Sequence, residues 1–590
     1  MAEMSPEVPS RVAYIDLSRR RYEFVERPDL FEEYLGGTGV AVKLLMEECP
    51  RNADPLGPEN PIIISVGPFN GLFPVASKTV SVFKSPHTKN FGESHAGGRS
   101  SMAIRLAGYG AIVIKGRSET PVYLAMHGDR VYFRDASALW GMSSTITVGR
   151  VLREIEPGSG IRTIMRIGIA GERMASYASV CVDTFRHFGR LGLGAVFGSK
   201  KLKAIVVSGK KSLKVSDPRA FREVYDEIYN LSIRSSLMKK YYELGTPMNI
   251  NPLNSIEALP VENLKASCSD KAPEISGERM ARDYLGRRFS CSHCPVSCVH
   301  IAALRVPYET EPYFYKTVMI SYDYEPTYAL GSMLGVFDPD GLLKLLDSVE
   351  KYGLDAMSTG VALAWATEAL ERGLIGKDDV MGLELKFGDY KAYMKAVELL
   401  AMRKNEFFSD LAEGVEHASS IYGGKEFALA FGGNEMPGYH TGPLAYAGFM
   451  TGGRHSHLDS AGYSLDQKFA KEGLPSPEEG AELLFKEEAW RQILTSLVVC
   501  LFGRKIYKPE LVVKGLKVLG LDFTEDGLME LGKRILRMKN EFKFREGFRP
   551  DKLRIPRRIT EVKSPNGMID EDYLKRAVKR FYELVGPPPS

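Results

Sequence analysis

Three cysteines lie within eight residues, in the segment Cys291-Ser-His-Cys294-Pro-Val-Ser-Cys298. In a reducing compartment such an array is more typical of metal binding than of cross-linking. A structural zinc site needs four ligands, usually from two paired knuckles. No second CxxC or HxxxH segment is present, although His293 and His300 are near. Because a [4Fe–4S] cluster accommodates three local thiolates and one distant one, the spacing favours an iron–sulfur cluster, with zinc as the alternative.

The sequence offers a candidate for the fourth ligand. Cys500 lies near the end of an apolar run, residues 493–501, whereas Cys49, Cys181 and Cys268 are scattered far apart. A lone cysteine is more often a small buried apolar residue than a ligand, so spacing alone leaves both interpretations of Cys500 open. Seven cysteines in 590 residues do not make a disulfide scaffold.

Composition excludes several classes of function. The 590 residues, enough for roughly three to four domain-sized units, are 44% hydrophobic and 26% charged, as in soluble globular proteins. The formal net charge of +4 is too small for a dedicated nucleic-acid binder. We see no uncharged apolar run that could cross a membrane, and residues 1–10 lack the pattern of a secretory signal. We therefore expect a cytoplasmic enzyme, and the scarcity of glutamine is typical of a thermophile.

Apolar periodicity divides the chain into a β-rich part, residues 1–212, and a mainly helical part, residues 213–590. Short apolar runs bounded by Gly, Pro and Asn predict strands at 12–17, 61–66, 79–83, 111–115 and 203–208, and a hairpin turning at Gly128-Asp129. Helical periodicity and capping residues predict helices at 218–244, 338–352, 389–404, 477–501, 525–537 and 570–585. The predicted fold class is α+β.

A series of motifs, ordered along most of the chain, resembles the aldehyde:ferredoxin oxidoreductase family. They are Gly36-Gly-Thr-Gly-Val40, residues 54–60, Lys84-Ser-Pro86, residues 106–110 and 192–204, the cysteine array, residues 328–335 and 353–360, and Phe544-Arg-Glu-Gly-Phe548. The resemblance implies an N-terminal domain of pseudo-symmetric β layers. It also implies a helical part of two interleaved domains, with the cofactor between the two parts.

The resemblance implies three inorganic components. They are a tungsten (or molybdenum) ion held by two pyranopterins, one [4Fe–4S] cluster on Cys291, Cys294, Cys298 and Cys500, and Mg²⁺ bridging the pterin phosphates. Main-chain carbonyls at His95 and His187 match the family's Mg²⁺ ligands. The expected cofactor contacts are Lys78, His95, Gly97, Gly98, Arg186, His187, Gly189, Glu350, Gly353, Leu354, Asp355, His457, Thr495, Val499 and Leu501.

Three positions depart from the family pattern. Lys78 replaces an arginine that contacts the pterins or their phosphates. A lysine offers a single point charge where the planar guanidinium could form two parallel hydrogen bonds. Glu350 and Thr495 stand where the family usually has aspartates that contact the pterins. These departures predict a divergent branch, whose substrate need not be that of the best-known members.

The resemblance also assigns a reacting end. Glu325 matches the family's buried glutamate, which would take a proton from water or the hydrated aldehyde. His455 matches the histidine that would bind the carbonyl or the metal oxygen. Without the resemblance, a solvated turn residue and a satisfied loop histidine are the plainer interpretations. The nearby Tyr439, His440, Arg454 and His457 predict either a structural polar network or a pocket for a polar or anionic aldehyde.

The predicted activity is oxidation of an aldehyde to a carboxylic acid. Electrons would leave through the cluster to ferredoxin or to a small multi-cluster iron–sulfur subunit, since this chain has cysteines for one cluster. Two alternatives remain: a reductive relative acting on an aromatic thioester, and an iron–sulfur or zinc relay or scaffold that lacks the pterin. The nucleotide-binding interpretation of Gly192-x-Gly194 is rejected because its third glycine is at the wrong interval.

Overall fold

Two six-stranded β-sheets form the first part of the chain in the computed structural model, which describes residues 8–308, 310–311 and 313–587. The first sheet has the order β2-β1-β6-β3-β4-β5. Its strands are β1 (Arg11–Asp16), β2 (Arg21–Glu26), β3 (Ile62–Ser65), β4 (Thr79–Lys84), β5 (Phe91–Ala96) and β6 (Ala111–Lys115). The second has the order β11-β10-β9-β12-β7-β8. Its strands are β7 (Val122–His127), β8 (Arg130–Asp135), β9 (Ile161–Ile167), β10 (Val180–Val182), β11 (Arg186–Phe188) and β12 (Leu202–Gly209).

The two sheets repeat one topology. When the strands of each sheet are numbered in chain order, both sheets read 2-1-6-3-4-5. In each, the first and sixth strands pair in parallel and the third and sixth pair antiparallel. Apolar side chains such as Ile64, Ile112, Leu124 and Val207 are fully buried in the core that the two sheets share. The predicted pseudo-symmetric β layers are confirmed.

Helices in this part connect the strands. They are α1 (Pro28–Tyr34), α2 (Gly37–Glu48), α3 (Ser100–Ala107), α4 (Thr145–Ile155), α5 (Ile169–Glu172) and α6 (Leu193–Ser199). The predicted strands match observed ones to within two residues, and the hairpin pairs His127 with Arg130 around the expected turn. Strands β2, β5, β9, β10 and β11 were not predicted.

The rest of the chain is mainly helical. Its helices are α7 (Pro218–Arg234), α8 (Ser236–Leu244), α9 (Ile250–Ser255), α10 (Gly277–Asp283), α11 (Tyr324–Leu330), α12 (Pro339–Tyr352), α13 (Ala356–Glu371), α14 (Tyr390–Met402), α15 (Glu406–Leu411), α16 (Val415–Tyr422), α17 (Pro443–Thr451), α18 (His457–Ser460), α19 (Gly462–Glu472), α20 (Pro477–Ser496), α21 (Pro509–Val518), α22 (Glu525–Arg545), α23 (Arg558–Glu561) and α24 (Glu571–Val585). A three-stranded sheet, β13 (Leu285–Phe289), β14 (Val299–Pro307) and β15 (Tyr315–Tyr322), and a small ribbon, β16 (Ala430–Phe431) and β17 (Asn434–Glu435), were not predicted.

Three helix predictions need correction. The helix predicted at 218–244 is broken at Ser235, whose side chain accepts from the Met238 amide and starts α8 as a separate helix. The helix predicted at 477–501 ends at Ser496, because Val498 has a left-handed backbone, with φ of 55°. The helix predicted at 525–537 continues to Arg545. By contrast, Asp338 caps α12 and Gly353 ends it in the left-handed region, as expected.

Two hydrophobic cores serve the helical part. One contains most of α9 to α19 together with α24. The other joins α7, α8, α21 and parts of α20 and α22 to α2 and the first sheet. The division into residues 1–212 and 213–590 stays a prediction, and residues 1–7 and 588–590 at its two ends lie outside the described part of the chain. Within the described residues, no helix is long and apolar enough to cross a membrane.

Glycine permits a close backbone contact between the first sheet and the end of α20. A Cβ built on Gly67 would lie 2.4 Å from the carbonyl oxygen of Ser496. We predict that Gly67→Ala lowers stability by about 1–3 kcal/mol, as overpacking generally does, because neither backbone can move aside. Exposed Gly376, where the nearest atom would be 3.7 Å away, supplies the control Gly376→Ala. Calorimetry should show a lower unfolding midpoint for Gly67→Ala alone, and equal midpoints would contradict the close contact.

Candidate active site

A cavity of about 360 Å³ lies where the two sheets meet the helical part. Its wall contains residues from both sheets, from the β13–β15 sheet and from α11, α12 and α20. The predicted residues that line it are Lys78, His95, Arg186, His187, Gly189, Cys291, Cys294, Cys298, Glu325, Glu350, Leu354, Asp355, His457, Thr495, Val499, Cys500 and Leu501. The structure therefore brings together residues from most of the chain length.

The four cysteines come from two segments that one residue connects. Cys291, Cys294 and Cys298 lie in the loop between β13 and β14, and Cys500 follows the end of α20. The backbone amide of Val75 donates to the carbonyl of His293 at 3.1 Å, and the amide of Cys500 donates to the carbonyl of Val75 at 3.0 Å. The loop and the distant cysteine are thus held against the same short stretch of the first part.

The cysteines are not arranged for a single ion. Among the described residues, no group of three or more His, Cys, Asp or Glu side chains is close enough to hold one metal ion. A tetrahedral zinc site would need its thiolates about 2.3 Å from one ion. The four cysteines line one cavity, and the described residues include no set of ligands close enough to hold one ion.

Gly97 leaves room beside the cysteine loop. A Cβ on Gly97 would lie 2.6 Å from the Sγ atom of Cys291, and 3.5 Å from both Lys78 Nζ and Arg186 Nε. The next residue, Gly98, has φ of 93°, which glycine adopts without strain, and its carbonyl accepts from the Ser292 amide at 2.8 Å. Because Gly97 has no side chain, Lys78, Arg186 and the thiol of Cys291 can approach one place. Neither Gly97 nor Gly98 lines the cavity itself.

Two partly buried arginines have N–H groups without partners at the cavity, in the part of the chain that the structure describes. Arg186 donates from Nη1 to Asp323 at 3.0 Å, but its Nε has no partner among the described residues. Arg190 is held by Asp355 and by the carbonyl of Glu435, and in the described structure its Nη1 is without a partner. Buried guanidinium donors are costly unless they are satisfied. Unfilled donors in a cavity wall are suited to an anionic group such as a phosphate.

His95 and His187 occupy equivalent places in the two sheets. His95 lies on β5 and His187 on β11, each the fifth strand of its sheet and an edge strand. Both begin a His-x-Gly segment, His95-Ala-Gly97 and His187-Phe-Gly189. Burial lowers the pKa of His95 to about 4 and that of His187 to about 3, so both rings are neutral. The repeated topology thus presents two similar segments to one cavity.

The departures from the family pattern leave fewer carboxylates at the cavity. Thr495 donates its hydroxyl to the Arg491 carbonyl at 2.8 Å, back into its own helix. Burial, reinforced by Asp347 and Asp323, raises the pKa of Glu350 to about 8. Asp355 caps α13 and accepts from Arg190, and Gly353 ends α12 without lining the cavity. Glu350 is therefore mostly protonated near neutral pH, and Thr495 presents no charge.

Glu325, His457 and Tyr439 form a hydrogen-bonded group at the cavity wall. Glu325 lies in the first turn of α11, and its carboxylate accepts from His457 Nε2 at 3.1 Å and from the Tyr439 hydroxyl at 3.5 Å. The Nδ1 atom of His457 is buried and has no hydrogen-bond partner among the described residues. In the neutral tautomer that donates from Nε2, Nδ1 is an acceptor. The group can accept and orient a proton on a molecule in the cavity.

His455, the predicted catalytic histidine, does not line the cavity. Its Nδ1 donates to the Phe449 carbonyl at 2.9 Å, and its Nε2 lies 3.0 Å from Lys543 Nζ, away from the cavity wall. Burial and then Lys543 lower its pKa to about 3. Both ring nitrogens are thus occupied within the protein. His457 takes the position beside Glu325, two residues further along the chain.

Arg454 is also satisfied internally. Its guanidinium donates to Asp459 at 2.6 Å, and it lies 4.0 Å from Glu93. Although burial acts to raise the pKa of Glu93, Lys539 and His95 hold it well below its usual range. Within the core, His440 Nε2 donates to the Val562 carbonyl at 3.1 Å, and its Nδ1 accepts from the Tyr446 hydroxyl at 2.6 Å. His440 and Arg454 are therefore held in a polar network, although Arg454, like Tyr439 and His457, also lines the cavity.

Sequence reasoning missed several residues of the wall. Asp323, Arg190, Arg491 and Arg504 line the cavity, and Arg491 is buried with its Nη2 lacking a partner within the described structure. Asp323 lies two residues before Glu325, at the end of β15, where a polar residue next to a predicted site could have been a signal. Arg491 and Arg504 flank Cys500 in the sequence, but nothing in the pattern indicates which way their side chains point.

Comparisons with known proteins agree with this arrangement. The family description "Aldehyde ferredoxin oxidoreductase, N-terminal domain" matches residues 12–209, and "Aldehyde ferredoxin oxidoreductase, domains 2 & 3" matches residues 223–587. Tungsten-containing aldehyde ferredoxin oxidoreductases from Thermococcus kodakarensis and Pyrococcus furiosus are each 32% identical, over 95% of this chain and 92% of theirs.

Two further relatives carry other activities. The WOR-like subunit of an aliphatic sulfonate oxidoreductase from Pyrococcus furiosus is 28% identical over 97% of this chain and 93% of its own. A solved structure, the active site complex BamBC of benzoyl coenzyme A reductase with 1,5-dienoyl-CoA, superposes with a TM-score of 0.82, covering 99% of this chain and 95% of that one. At 22% identity it shows a shared fold. This chain is a divergent member of the aldehyde ferredoxin oxidoreductase family.

Proposed function

We propose that this chain is a cytoplasmic tungsten-pterin oxidoreductase that oxidises a small aldehyde to a carboxylic acid. The observation that carries the proposal is the Glu325 carboxylate, hydrogen-bonded to His457 and Tyr439 in the wall of the cavity that the four cysteines also line. A proton acceptor and a candidate electron-transfer site thus share one enclosed space. Oxidation of a hydrated aldehyde needs both, because it releases protons and two electrons.

The donor groups of the cavity fit the proposed cofactors. Cys291, Cys294, Cys298 and Cys500 would hold one [4Fe–4S] cluster. The unpartnered Arg186 Nε and Arg190 Nη1, together with Lys78, would bind pterin phosphates. Main-chain carbonyls at His95 and His187 would hold Mg²⁺. When bound, a tungsten-pterin centre supplies the two-electron redox step, and an iron–sulfur cluster passes the electrons on singly.

The protein's own contribution is proton transfer and orientation. Glu325 would accept the proton of water or of the hydrated aldehyde, as a general base within hydrogen-bond reach. His457 fixes the carboxylate through Nε2 and leaves Nδ1 to accept a hydrogen bond from the substrate hydroxyl. Tyr439, stacked on Tyr463 at a centroid distance of 4.2 Å, forms the neighbouring wall.

The charges of the same cavity support a polar or anionic aldehyde. Arg454 lines the cavity, with its Nε paired with Asp459. Arg491 keeps a free Nη2 in the described structure, and Arg491, Arg504 and Tyr463 all line the cavity. A guanidinium beyond an aromatic wall can bind a carboxylate or a sulfonate on the substrate.

Replacement of the proposed base tests the reaction. We predict that Glu325→Gln lowers kcat for aldehyde oxidation with a viologen dye by about 10²–10⁴-fold, the usual worth of a general base. Iron and tungsten contents should not change. The exposed Glu384 supplies the control Glu384→Gln, which should keep full activity. Full activity in Glu325→Gln, with both metals bound, would remove Glu325 from the reaction.

A second pair of variants distinguishes the role of His457 from that of His455. We predict that His457→Gln lowers kcat at least tenfold with little change in the unfolding midpoint, because it loses the contact with Glu325. In His455→Gln, the buried pair with Lys543 is lost, which should cost about 1–3 kcal/mol of stability and leave kcat within about twofold. Steady-state kinetics and calorimetry on both variants measure this. The reverse pattern would restore the catalytic role to His455.

The distant cysteine is tested by iron content. We predict that Cys500→Ser loses most of the iron and acid-labile sulfide of the anaerobically purified protein, because a cluster missing one thiolate is labile. Exposed Cys268 supplies the control Cys268→Ser, which should keep the full iron content. Unchanged iron and an unchanged electron paramagnetic resonance spectrum in Cys500→Ser would exclude Cys500 as a ligand.

A further inference from the structure

Five arginines line the cavity, and two of them differ from the rest in their partners. Three are paired with a carboxylate inside the protein, in the pairs Arg186–Asp323, Arg190–Asp355 and Arg454–Asp459. The other two, Arg491 and Arg504, come from α20 and from the 3₁₀ turn Leu501–Lys505 that follows it. In the described structure, neither of these two has a fully buried carboxylate as its partner.

Arg491 is buried, yet one of its donors has no acceptor. The residue is 3% exposed. Its Nε donates to the half-exposed Glu487 at 3.0 Å, and its Nη1 donates to the Leu458 carbonyl at 2.5 Å. Its Nη2 is buried and has no hydrogen-bond partner within the described part of the chain. A buried guanidinium N–H is costly without an acceptor, so this group is suited to an acceptor that enters the cavity.

Arg504 places a second guanidinium near the first. Burial lowers the pKa of Arg491, and the positive charge of Arg504 acts in the same direction, which indicates that the two groups are neighbours. Arg504 donates from Nη1 to the Leu501 carbonyl at 3.2 Å, and among the described residues no carboxylate lies within 4.0 Å of it. Neighbouring like charges repel each other, and an anion bound between them offsets the repulsion. One free donor from each arginine matches the two oxygens of a single carboxylate.

Aromatic rings line the cavity between the same elements. The Tyr439 hydroxyl donates to Glu325 at 3.5 Å, and the Tyr439 ring stacks on Tyr463 with the centroids 4.2 Å apart. Tyr241 stacks on Phe502 at a centroid distance of 4.3 Å. All five of these residues line the cavity. Apolar walls with a few polar groups are typical of small-molecule sites, so the rings are suited to contact a short carbon chain.

Two adjacent residues connect Arg491 to the reacting end. His457 is hydrogen-bonded to Glu325 at 3.1 Å, and the carbonyl of the next residue, Leu458, accepts from Arg491. Consecutive Cα atoms are about 3.8 Å apart, so the separation between the proposed base and the guanidinium is fixed by one short piece of backbone. A substrate that reaches both must carry an anionic group at a set distance from its carbonyl carbon.

We propose that Arg491 and Arg504 bind a carboxylate at the far end of the substrate, so that the substrates are short-chain aldehydes that carry a carboxylate group. The inference rests on the proposed function, since it concerns the substrate of the same reaction. The cations proposed for the pterin phosphates, Lys78, Arg186 and Arg190, come from the first part of the chain. The two sets of cations therefore serve different anions.

Removal of one guanidinium at a time from the holoenzyme tests this subsite. The probes are 4-oxobutanoate and butanal, which differ only in the terminal carboxylate, and the ratio of their kcat/KM values is measured with a viologen dye. We expect Arg504→Gln and Arg491→Lys each to lower the ratio by about tenfold or more, the usual worth of a hydrogen bond between charged groups. Arg19→Gln, on the exposed turn between β1 and β2, is the matched control and should keep the wild-type ratio.

A binding measurement separates the subsite from the reaction. The probe is 4-oxopentanoate, a ketone that cannot be oxidised to an acid at its carbonyl, with 2-pentanone as its neutral counterpart. Calorimetry on the holoenzyme should show that both variants bind 4-oxopentanoate about tenfold or more weakly than the wild type, and that high salt reduces the difference. The affinity for 2-pentanone should not follow the same pattern. If Arg491→Lys does not fold, the half-buried Arg504→Gln decides the outcome.

The outcomes distinguish failure of the subsite from failure of the reaction. Equal kcat/KM ratios and equal 4-oxopentanoate affinities in the wild type and the variants overturn the proposal. Weaker binding of 4-oxopentanoate by the variants, in a protein that oxidises no aldehyde, supports the carboxylate subsite and rejects the proposed reaction. Loss of tungsten or pterin from the variants, with the ratio unchanged in the enzyme that remains, assigns the two arginines to the cofactor, and the proposal then fails.

Discussion

The site depends on the backbone of Val75, which joins the cysteine loop to Cys500. The amide of Val75 donates to the carbonyl of His293, and the carbonyl of Val75 accepts from the amide of Cys500. These two bonds hold segments from the first sheet region, from the β13–β14 loop and from the end of α20 at one place. Val75 itself has φ of 67°, an uncommon conformation for a β-branched residue. Packing on both sides must therefore hold it there, since left-handed valine is strained.

The left-handed residues that surround the cysteines act in the same way. His293, Ser297 and Val498 all have φ between 51° and 60°. They turn the backbone sharply so that thiols separated by two or three residues face one cavity. Gly97, which does not line the cavity itself, leaves space beside Cys291 that a Cβ would fill. The cavity is thus formed by backbone conformation as much as by the side chains that line it.

The duplicated sheet provides a physical reason for a site with two similar halves. Both sheets follow one topology, and their fifth strands each bring a His-x-Gly segment to the cavity. The symmetry is not complete. Arg186 and Arg190 both come from the second half, whereas Lys78 comes from the first. The two halves therefore present different charges to whatever they bind.

Much of the fold could be predicted, because local rules decided it. Short apolar runs bounded by Gly, Pro and Asn placed β1, β3, β4, β6 and β12, and capping residues placed the starts of α12, α14 and α24. The failures have tertiary causes. Strands β13 and β14 are separated by the cysteine loop, so neither reads as part of a hairpin. The apolar run after Ser496 continues into the turn that carries Cys500, and apolar periodicity alone does not mark where the helix ends.

The sequence predicted those site residues that belong to recognisable motifs. It was less informative for residues whose role depends on the direction of the side chain in the folded protein. The four cysteines and Glu325 line one cavity. His455 and His457 are both buried and only two residues apart, so only tertiary contacts decide which one meets Glu325. The sequence left Arg454 either in a polar network or in a substrate pocket, because its partner Asp459 and its neighbour Glu93 gave no pattern. Arg190 and Arg491 belong to the site because their side chains point into the cavity, and the sequence does not show the direction of a side chain.

The cofactor set is the central claim, and elemental analysis tests it most directly. Anaerobically purified protein is measured by mass spectrometry for metals, with a pterin fluorescence assay on the same sample. About four iron atoms and one tungsten per chain, with pterin present, are expected for the proposed cofactors. Zinc alone, or iron without tungsten, molybdenum or pterin, would contradict the account and leave an electron relay or scaffold as the better description.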